Sequence, residues 1–352
     1  MKMRHGGDVA TYSKLYNNDL LDFSSNINPL GIPKGLMEYW NKNIQGSTKY
    51  PDIKYRELRE KVGQYLHCDK DEVVVGNGAM DILDGIFSLY QNVEICYPSF
   101  GEYADRAKIR KCNVTSIPLK DNLTIDLRLL EETLPENAIF IIGNPNNPTG
   151  YRLEKDKLLK VYQLVRERNG LLVLDEVFYE FCPMEYDSIE LFKAYDFEQV
   201  VIVRAATKFF GLPGVRLGYA CTNKRLVESI NKIMVPWNVN VFGDLAGRYI
   251  FDQKDYIERS KQWIEEERTF LLEELEKLPN IKVYRSQCNF ILIKLEKHKE
   301  DEALPFFLER GILIRTCSSF QGLGENHIRI AVKNREDNEK IVDVFKEFLQ
   351  VS

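Results

Sequence analysis

The sequence predicts an α/β fold: a mainly parallel sheet flanked by helices, followed by a smaller α+β unit. Three observations predict it. Val93 to Tyr97, Ala138 to Gly143, Leu171 to Leu174 and Val200 to Val203 are continuous apolar runs without polar alternation, as expected for strands buried on both faces. Helical patterns alternate with them. Polar clusters at 76–81, 98–103, 144–150, 175–179 and 204–216 all fall where a strand ends, and ligands of such sheets gather at the carboxyl ends of the strands.

Taken in order, residues 1–50 read as irregular. They carry Arg4-His5-Gly6-Gly7 and the turn-rich run Asp22 to Gly31, which suits an arm that closes over a pocket. Tyr55 to Leu66 is an amphipathic helix. Glu72 to Val75 is a short strand, and Gly76-Asn77-Gly78-Ala79-Met80-Asp81 leads into a helix through Tyr90. A glycine turn into a helix N-terminus points backbone N–H groups and the helix dipole at an anion. The strand Val93 to Tyr97 precedes Pro98 to Tyr103 and a helix to Lys111; Val114 to Leu119 is the next strand. Ala138 to Gly143 ends in Asn144 to Gly150, Leu153 to Arg168 is helical, and Leu171 to Leu174 ends in Asp175-Glu176-Val177-Phe178-Tyr179. After Val203 come Lys208, a Gly/Pro-rich turn, Arg216 and a strand through Tyr219. A long helix, Asp255 to Lys277, leads to strands Ile281 to Tyr284, Asn289 to Leu295 and Ile328 to Val332, with helices Asp301 to Arg310 and Asp337 to Leu349.

The chain has 352 residues, enough for two domains. The expected division is an arm (1–45) packing on the small unit and site, a large unit (46–250) and a small one (251–352). With 48 basic and 53 acidic residues, charge gives no footprint for nucleic acid or an anionic membrane. No apolar run reaches spanning length. Seven cysteines without CxxC spacing and four scattered histidines suit reduced thiols in the cytoplasm and no metal site.

Lys208 sets the chemistry. A lysine at a strand end among apolar neighbours and near a second cation has a lowered pKa. It can then form a Schiff base with an aldehyde cofactor. Pyridoxal 5'-phosphate needs such a lysine, a carboxylate on its pyridine nitrogen, a phosphate cup and a ring contact. Lys208 and Asp175 fit the first two. Gly78, Ala79, Met80, Thr207 and Arg216 offer the cup. Phe100 is placed to stack on the ring, with Tyr103 in reserve, and Asn147 to bond the ring hydroxyl.

Tyr50-Pro51-Asp52, Gly76-Asn77-Gly78, Tyr97-Pro98-Ser99-Phe100, Asn144 to Gly150, Asp175-Glu176, Thr207-Lys208 and Arg216-Leu217-Gly218-Tyr219 together resemble the fold type I pyridoxal-phosphate enzymes of the class I/II aminotransferase group. The resemblance implies a seven-stranded sheet and a homodimer in which Tyr50 reaches the partner's cofactor phosphate. It also implies that Arg329 holds the substrate carboxylate and that Asn147 takes part in substrate binding. Within the group, the overall pattern resembles histidinol-phosphate aminotransferases. His5-Gly6-Gly7, Asp22 to Gly31, Pro236-Trp237-Asn238-Val239-Asn240 and Phe178 in place of a tyrosine resemble the L-threonine-O-3-phosphate decarboxylases more closely. That implies decarboxylation of O-phospho-L-threonine for cobamide synthesis, O-phospho-L-serine being an alternative substrate, with His5, Asn28 and Arg315 on the substrate phosphate. The competing expectations are an aminotransferase and, in another class, a non-catalytic cofactor-binding regulator. The sequence departs from the group at Ala205, where relatives carry a hydroxyl for the cofactor phosphate; one lost neutral hydrogen bond costs about 1 kcal/mol.

Overall fold

The structure, a computed structural model, describes residues 3–16, 19–183 and 185–350. Its strands in chain order are β1 (Leu21–Asp22), β2 (Val73–Gly76), β3 (Asn92–Tyr97), β4 (Asn113–Pro118), β5 (Ala138–Gly143), β6 (Leu171–Asp175), β7 (Val200–Ala205), β8 (Gly218–Cys221), β9 (Ile281–Tyr284), β10 (Phe290–Leu295), β11 (Ile312–Leu313), β12 (Arg315–Thr316) and β13 (His327–Ala331).

Seven strands form the central sheet in the order β2-β8-β7-β6-β5-β3-β4. Neighbours from β7 to β4 pair in parallel, whereas β8 is antiparallel to both β2 and β7. Every residue of β5, β6 and β7 is buried, which is why those runs read as uninterrupted apolar. The edge strand β4 is mostly exposed and correspondingly polar.

The reversal at β8 places the site. Gly218 opens β8 opposite both Ala205, the end of β7, and Gly76, the end of β2. Residues 206–217 therefore turn over the carboxyl edge of the sheet, beside the turn after β2. A Cβ at Gly218 would run into the backbone of Gly78 and Ala79. Only glycine permits that approach.

A second sheet, β12-β13-β10-β9, is antiparallel. The long helix Lys254–Glu276 contacts β9 and the helix Arg335–Phe348. β1 pairs with β11 through Leu21↔Ile312 and Asp22↔Leu313, so the chain's start is stitched to its C-terminal part. The first fifty residues differ from the irregular stretch expected. They contain helices Val9–Tyr16 and Leu36–Asn43, of eight residues each. Helices this short owe their stability to packing: Tyr12 and Leu36 are buried in the main core, and the second helix lies against Val241–Ile250. Among the described residues, no helix is long and apolar enough to cross a membrane, and no cluster of His, Cys, Asp and Glu could hold a metal ion.

Candidate active site

The carboxyl edge of the large sheet, the small sheet and residues 4–6 and 24–26 enclose a cavity of about 320 Å³. Lys208, Asp175, Phe100, Asn147, Thr207, Ala79, Met80, Arg216, Arg329, Arg315 and His5 all line it. Residues from more than 300 positions apart are thus brought to one cleft by the strand ends.

Lys208 projects into it from the turn between β7 and β8. Burial pushes its pKa down to about 8, helped by the cations Arg329 and Arg216 and partly opposed by Asp22. Its Nζ lies 5.9 Å from the centre of the Phe178 ring. An amine with this pKa gives up its proton far more readily than an ordinary lysine.

Asp175 ends β6, where its backbone pairs with Gly143 and Val203. Burial pushes its pKa up, while Tyr103 and the Val177 N–H hold it down. Tyr103 donates its hydroxyl to Asp175 Oδ2 at 2.6 Å, and the Val177 N–H donates to Oδ1 at 3.1 Å. Tyr103 therefore orients the carboxylate; Phe100 packs edge-on against it, ring centres 5.5 Å apart. The adjacent Glu176 is fully buried and faces away, accepting from Arg204 at 2.9 Å and Asn144 at 3.1 Å. That network fixes the strand end from behind.

The guanidinium of Arg216 occupies the space that a side chain at Gly78 would fill. Gly78 has φ +87° and Arg216 φ +58°, and the helix Ala79–Phe87 begins at this turn. Backbone N–H groups, a helix N-terminus and a guanidinium thus converge where a phosphate would sit. Ala205 lines the cleft without a hydroxyl, as its sequence requires.

Arg329 is buried, and its pKa is pushed down to about 10, mainly by burial. It donates to Asn147 Oδ1 and, at 2.9 Å, to the Ser24 carbonyl. Its Nε is buried without a hydrogen-bond partner, and no ion pair to it is present among the described residues. Because an arginine only donates, Asn147 must give it the amide oxygen. What Asn147 then has left for a ligand is its NH₂.

Asn28 and Arg315 depart from their expected roles, and Tyr50 lies outside its own chain's cleft. Asn28 does not reach the cleft: its amide donates to the Phe209 carbonyl (2.8 Å), Tyr256 (3.1 Å) and Ser260 (2.9 Å), and its N–H to the Lys208 carbonyl (3.1 Å). It braces the Lys208 turn, and Asn26 lines the cleft instead. Tyr50 is 82 % exposed and packs at a tilt against Trp237, ring centres 4.8 Å apart, outside its own chain's cavity. Arg315 lines the cleft, but its terminal N–H groups are spent. They go to the carbonyls of Met3 (2.6 Å), Arg4 (2.6 Å) and Thr316 and to Ser319 Oγ (2.8 Å). Phe178 lines the cleft and packs edge-on against Phe290 at 5.0 Å; Tyr179 turns away, donating to Asp187 at 2.7 Å. Sequence reasoning missed the orienting role of Tyr103, and it missed Arg4, Glu102 and Asp105, which line the mouth.

These residues fit pyridoxal phosphate: an amine of lowered pKa, a buried carboxylate aimed into the cleft, and a cup shaped by Gly78 and Arg216. The fold and site define a pyridoxal-phosphate-dependent enzyme of fold type I. The aminotransferase class I and II profile matches residues 18–345, and the chain belongs to that family. A protein of Caldanaerobacter subterraneus subsp. tengcongensis provisionally named threonine-phosphate decarboxylase is 34% identical over 349 residues, 97% of this chain and 93% of its own. The crystal structure of histidinol-phosphate aminotransferase from Clostridium acetobutylicum is 36% identical with a TM-score of 0.90, covering 94% of this chain and 99% of its own. A decarboxylase structure from Sulfurospirillum multivorans is 27% identical with a TM-score of 0.88, covering 100% of this chain and 95% of its own.

Proposed function

We propose that the chain decarboxylates O-phospho-L-threonine to (R)-1-amino-2-propanol phosphate, a step of cobamide biosynthesis. The observation that carries this reading is uncompensated positive charge on the substrate side of one cleft: Arg329 is buried with its Nε unpartnered, Arg315 is buried with its terminal N–H groups on uncharged oxygens, and neither is in an ion pair among the described residues. Buried charges are ordinarily paired, so the cleft suits a small amine with two anionic groups. A phospho-amino acid supplies a carboxylate and a phosphate in one substrate, whereas a histidinol-phosphate aminotransferase meets two anionic groups together only in its glutamate/2-oxoglutarate co-substrate. Phe178 supports the same choice, because no phenol hydroxyl enters the cleft from that position.

When bound, pyridoxal phosphate supplies an electron sink for the charge left on Cα as a bond to it breaks. Arg329 grips the substrate carboxylate, and its direction of approach selects which Cα bond is held for cleavage. Phe178 and Phe100 keep water from the reacting carbon. Lys208, still largely protonated at neutral pH with a pKa of about 8, returns a proton from Nζ to Cα once carbon dioxide has left.

An aminotransferase is the second reading, favoured by the 36% identity to the Clostridium enzyme. Purified enzyme is expected to release carbon dioxide from phosphothreonine without 2-oxoglutarate, and from phosphoserine more slowly. One methyl is worth roughly 1–3 kcal/mol of discrimination. Consumption of histidinol phosphate only with 2-oxoglutarate, with no carbon dioxide from either phospho-amino acid, would sink the proposal.

We also propose a homodimer in which Tyr50 reaches the partner's cofactor phosphate. Its support is the exposure of Tyr50, packed against Trp237 and accompanied by the exposed Ile53, Val235 and Phe242. Sedimentation should give a dimer, and Tyr50→Phe should weaken cofactor binding by about tenfold, one charge-assisted hydrogen bond. A monomer that holds the cofactor as tightly as before the substitution contradicts this.

A further inference from the structure

The mouth of the cleft is closed by a strap of chain whose tip is charged. Arg315 holds the strap from inside through the Met3 and Arg4 carbonyls, each at 2.6 Å. Gly7 N–H donates to Ser24 Oγ at 2.7 Å, and a Cβ at Gly6 would run into the Ser24 carbonyl. The backbone of residues 3–7 is therefore fixed, while its side chains reach across the mouth. Arg4 donates to Asp105 and, at 3.4 Å, to Glu102 Oε1; His5 Nε2 lies 3.0 Å from the same Glu102 oxygen. All four side chains line the cavity. Glu102 and Asp105 lie in the first turn of the helix Glu102–Ile109, which begins two residues after Phe100.

The bonds of Arg315 decide what the others do. Its terminal N–H groups are on the carbonyls of Met3, Arg4 and Thr316 and on Ser319 Oγ, so they hold the strap and the adjoining loop together. It acts through the strap it clamps. The guanidinium of Arg4 has the opposite standing: 66% exposed, facing the same cleft, and held among the described residues by the partly exposed carboxylates of Glu102 and Asp105. Pairs of that kind are individually weak and are readily exchanged.

We propose that Arg4 is a specificity-determining residue that binds the distal phosphate monoester of the substrate, exchanging Glu102 and Asp105 for it. This rests on the reading of the substrate as a phosphorylated amino acid. An arriving phosphate displaces the carboxylates, which fall back to solvent. The two acids hold Arg4 over the mouth and, at the same time, repel anions that cannot outbid them for it.

Opposite signs test this. Holoenzyme is titrated with inorganic phosphate by calorimetry. Arg4→Gln is expected to weaken phosphate binding by about tenfold, the value of one charge-assisted contact. The double variant E102Q/D105N is expected to tighten it several-fold, because the competitors and their negative charge are gone. A merely structural latch would weaken binding in both variants, and that result overturns the proposal, as does Arg4→Gln binding phosphate like the wild type. Arg4 is exposed, so its replacement leaves the fold intact. The phosphate probe is separate from turnover. Carbon dioxide release absent while Arg4→Gln still weakens phosphate binding removes the decarboxylase reading and leaves Arg4 as an anion ligand.

Discussion

Lys208→Ala is expected to lower turnover by roughly 10⁴-fold, the upper range for removing a positioned proton-transfer group, and to leave the protein folded. The expectation follows from where the amine sits. It is buried, pushed down to about 8 by that burial and by Arg329 and Arg216, and no ion pair to it is present among the described residues. Removing it takes an uncompensated charge out of the core, so the melting temperature should hold or rise. The wild-type apoenzyme should take up pyridoxal phosphate faster as pH rises, with a midpoint near 8, because the free amine is the nucleophile. The same depressed pKa has a stability consequence of definite sign. Between about 8 and the ordinary lysine value near 10.5, the unfolded chain binds the proton that the folded chain has released. Apoenzyme stability therefore rises with pH through that window. Arg329→Met should move the uptake midpoint upward, though only part of the way, since burial is the larger cause. A Lys208→Ala protein that keeps the absorbance of lysine-bound cofactor, or turns over within tenfold of wild type, would refute the assignment.

The parts of this site legible in the sequence are those set by a single strand end. β5, β6 and β7 are buried on both faces, so their apolar runs mark both the strands and the places where the polar groups must emerge. Asp175, Asn147 and Lys208 were accessible on that ground. The direction of β8 was not, because an apolar run carries no sign of which way the strand runs. Yet that reversal is what lays Arg216 against Gly78. Roles that depend on a distant partner were equally hidden. Tyr103 reads as an aromatic stacking candidate until its hydroxyl is seen on Asp175, 72 positions away. Asn28 and Arg315 lie in the expected segments, but hydrogen bonds to the Lys208 turn and to the arm carbonyls consume their polar atoms. Arg4 lies in the run Arg4-His5-Gly6-Gly7, but nothing local marks its side chain as a ligand. Its place is set by Arg315, through the backbone carbonyls of residues 3 and 4.

Asp175→Asn is expected to lower kcat by about 10²–10³-fold, the cost of losing one preorganised electrostatic contact in a dry site, with a far smaller effect on KM for the substrate. The amide has nearly the same shape as the carboxylate and none of its charge. In the native site the Tyr103 hydroxyl and the Val177 N–H both donate to the carboxylate. Both are donors to the charged form, and they hold the pKa down against the burial that raises it. An asparagine can satisfy one of them with its oxygen but presents N–H to the other, so the variant also carries a mismatched buried donor. What it cannot do is keep a proton on the pyridine nitrogen of a bound cofactor, because that requires a full negative charge facing it. Tyr103→Phe separates charge from shape. It leaves the carboxylate but removes one bond to its ionised form, so the Asp175 pKa should climb further. Activity that needs the carboxylate is present above its pKa and lost as pH falls through it; the acid limb of the Tyr103→Phe profile should accordingly lie at higher pH than in the wild type. Asp175→Asn should lose activity at every pH and show no such displacement. An Asp175→Asn enzyme within tenfold of wild type would mean that the carboxylate is a strand-end cap and not the partner of the ring nitrogen.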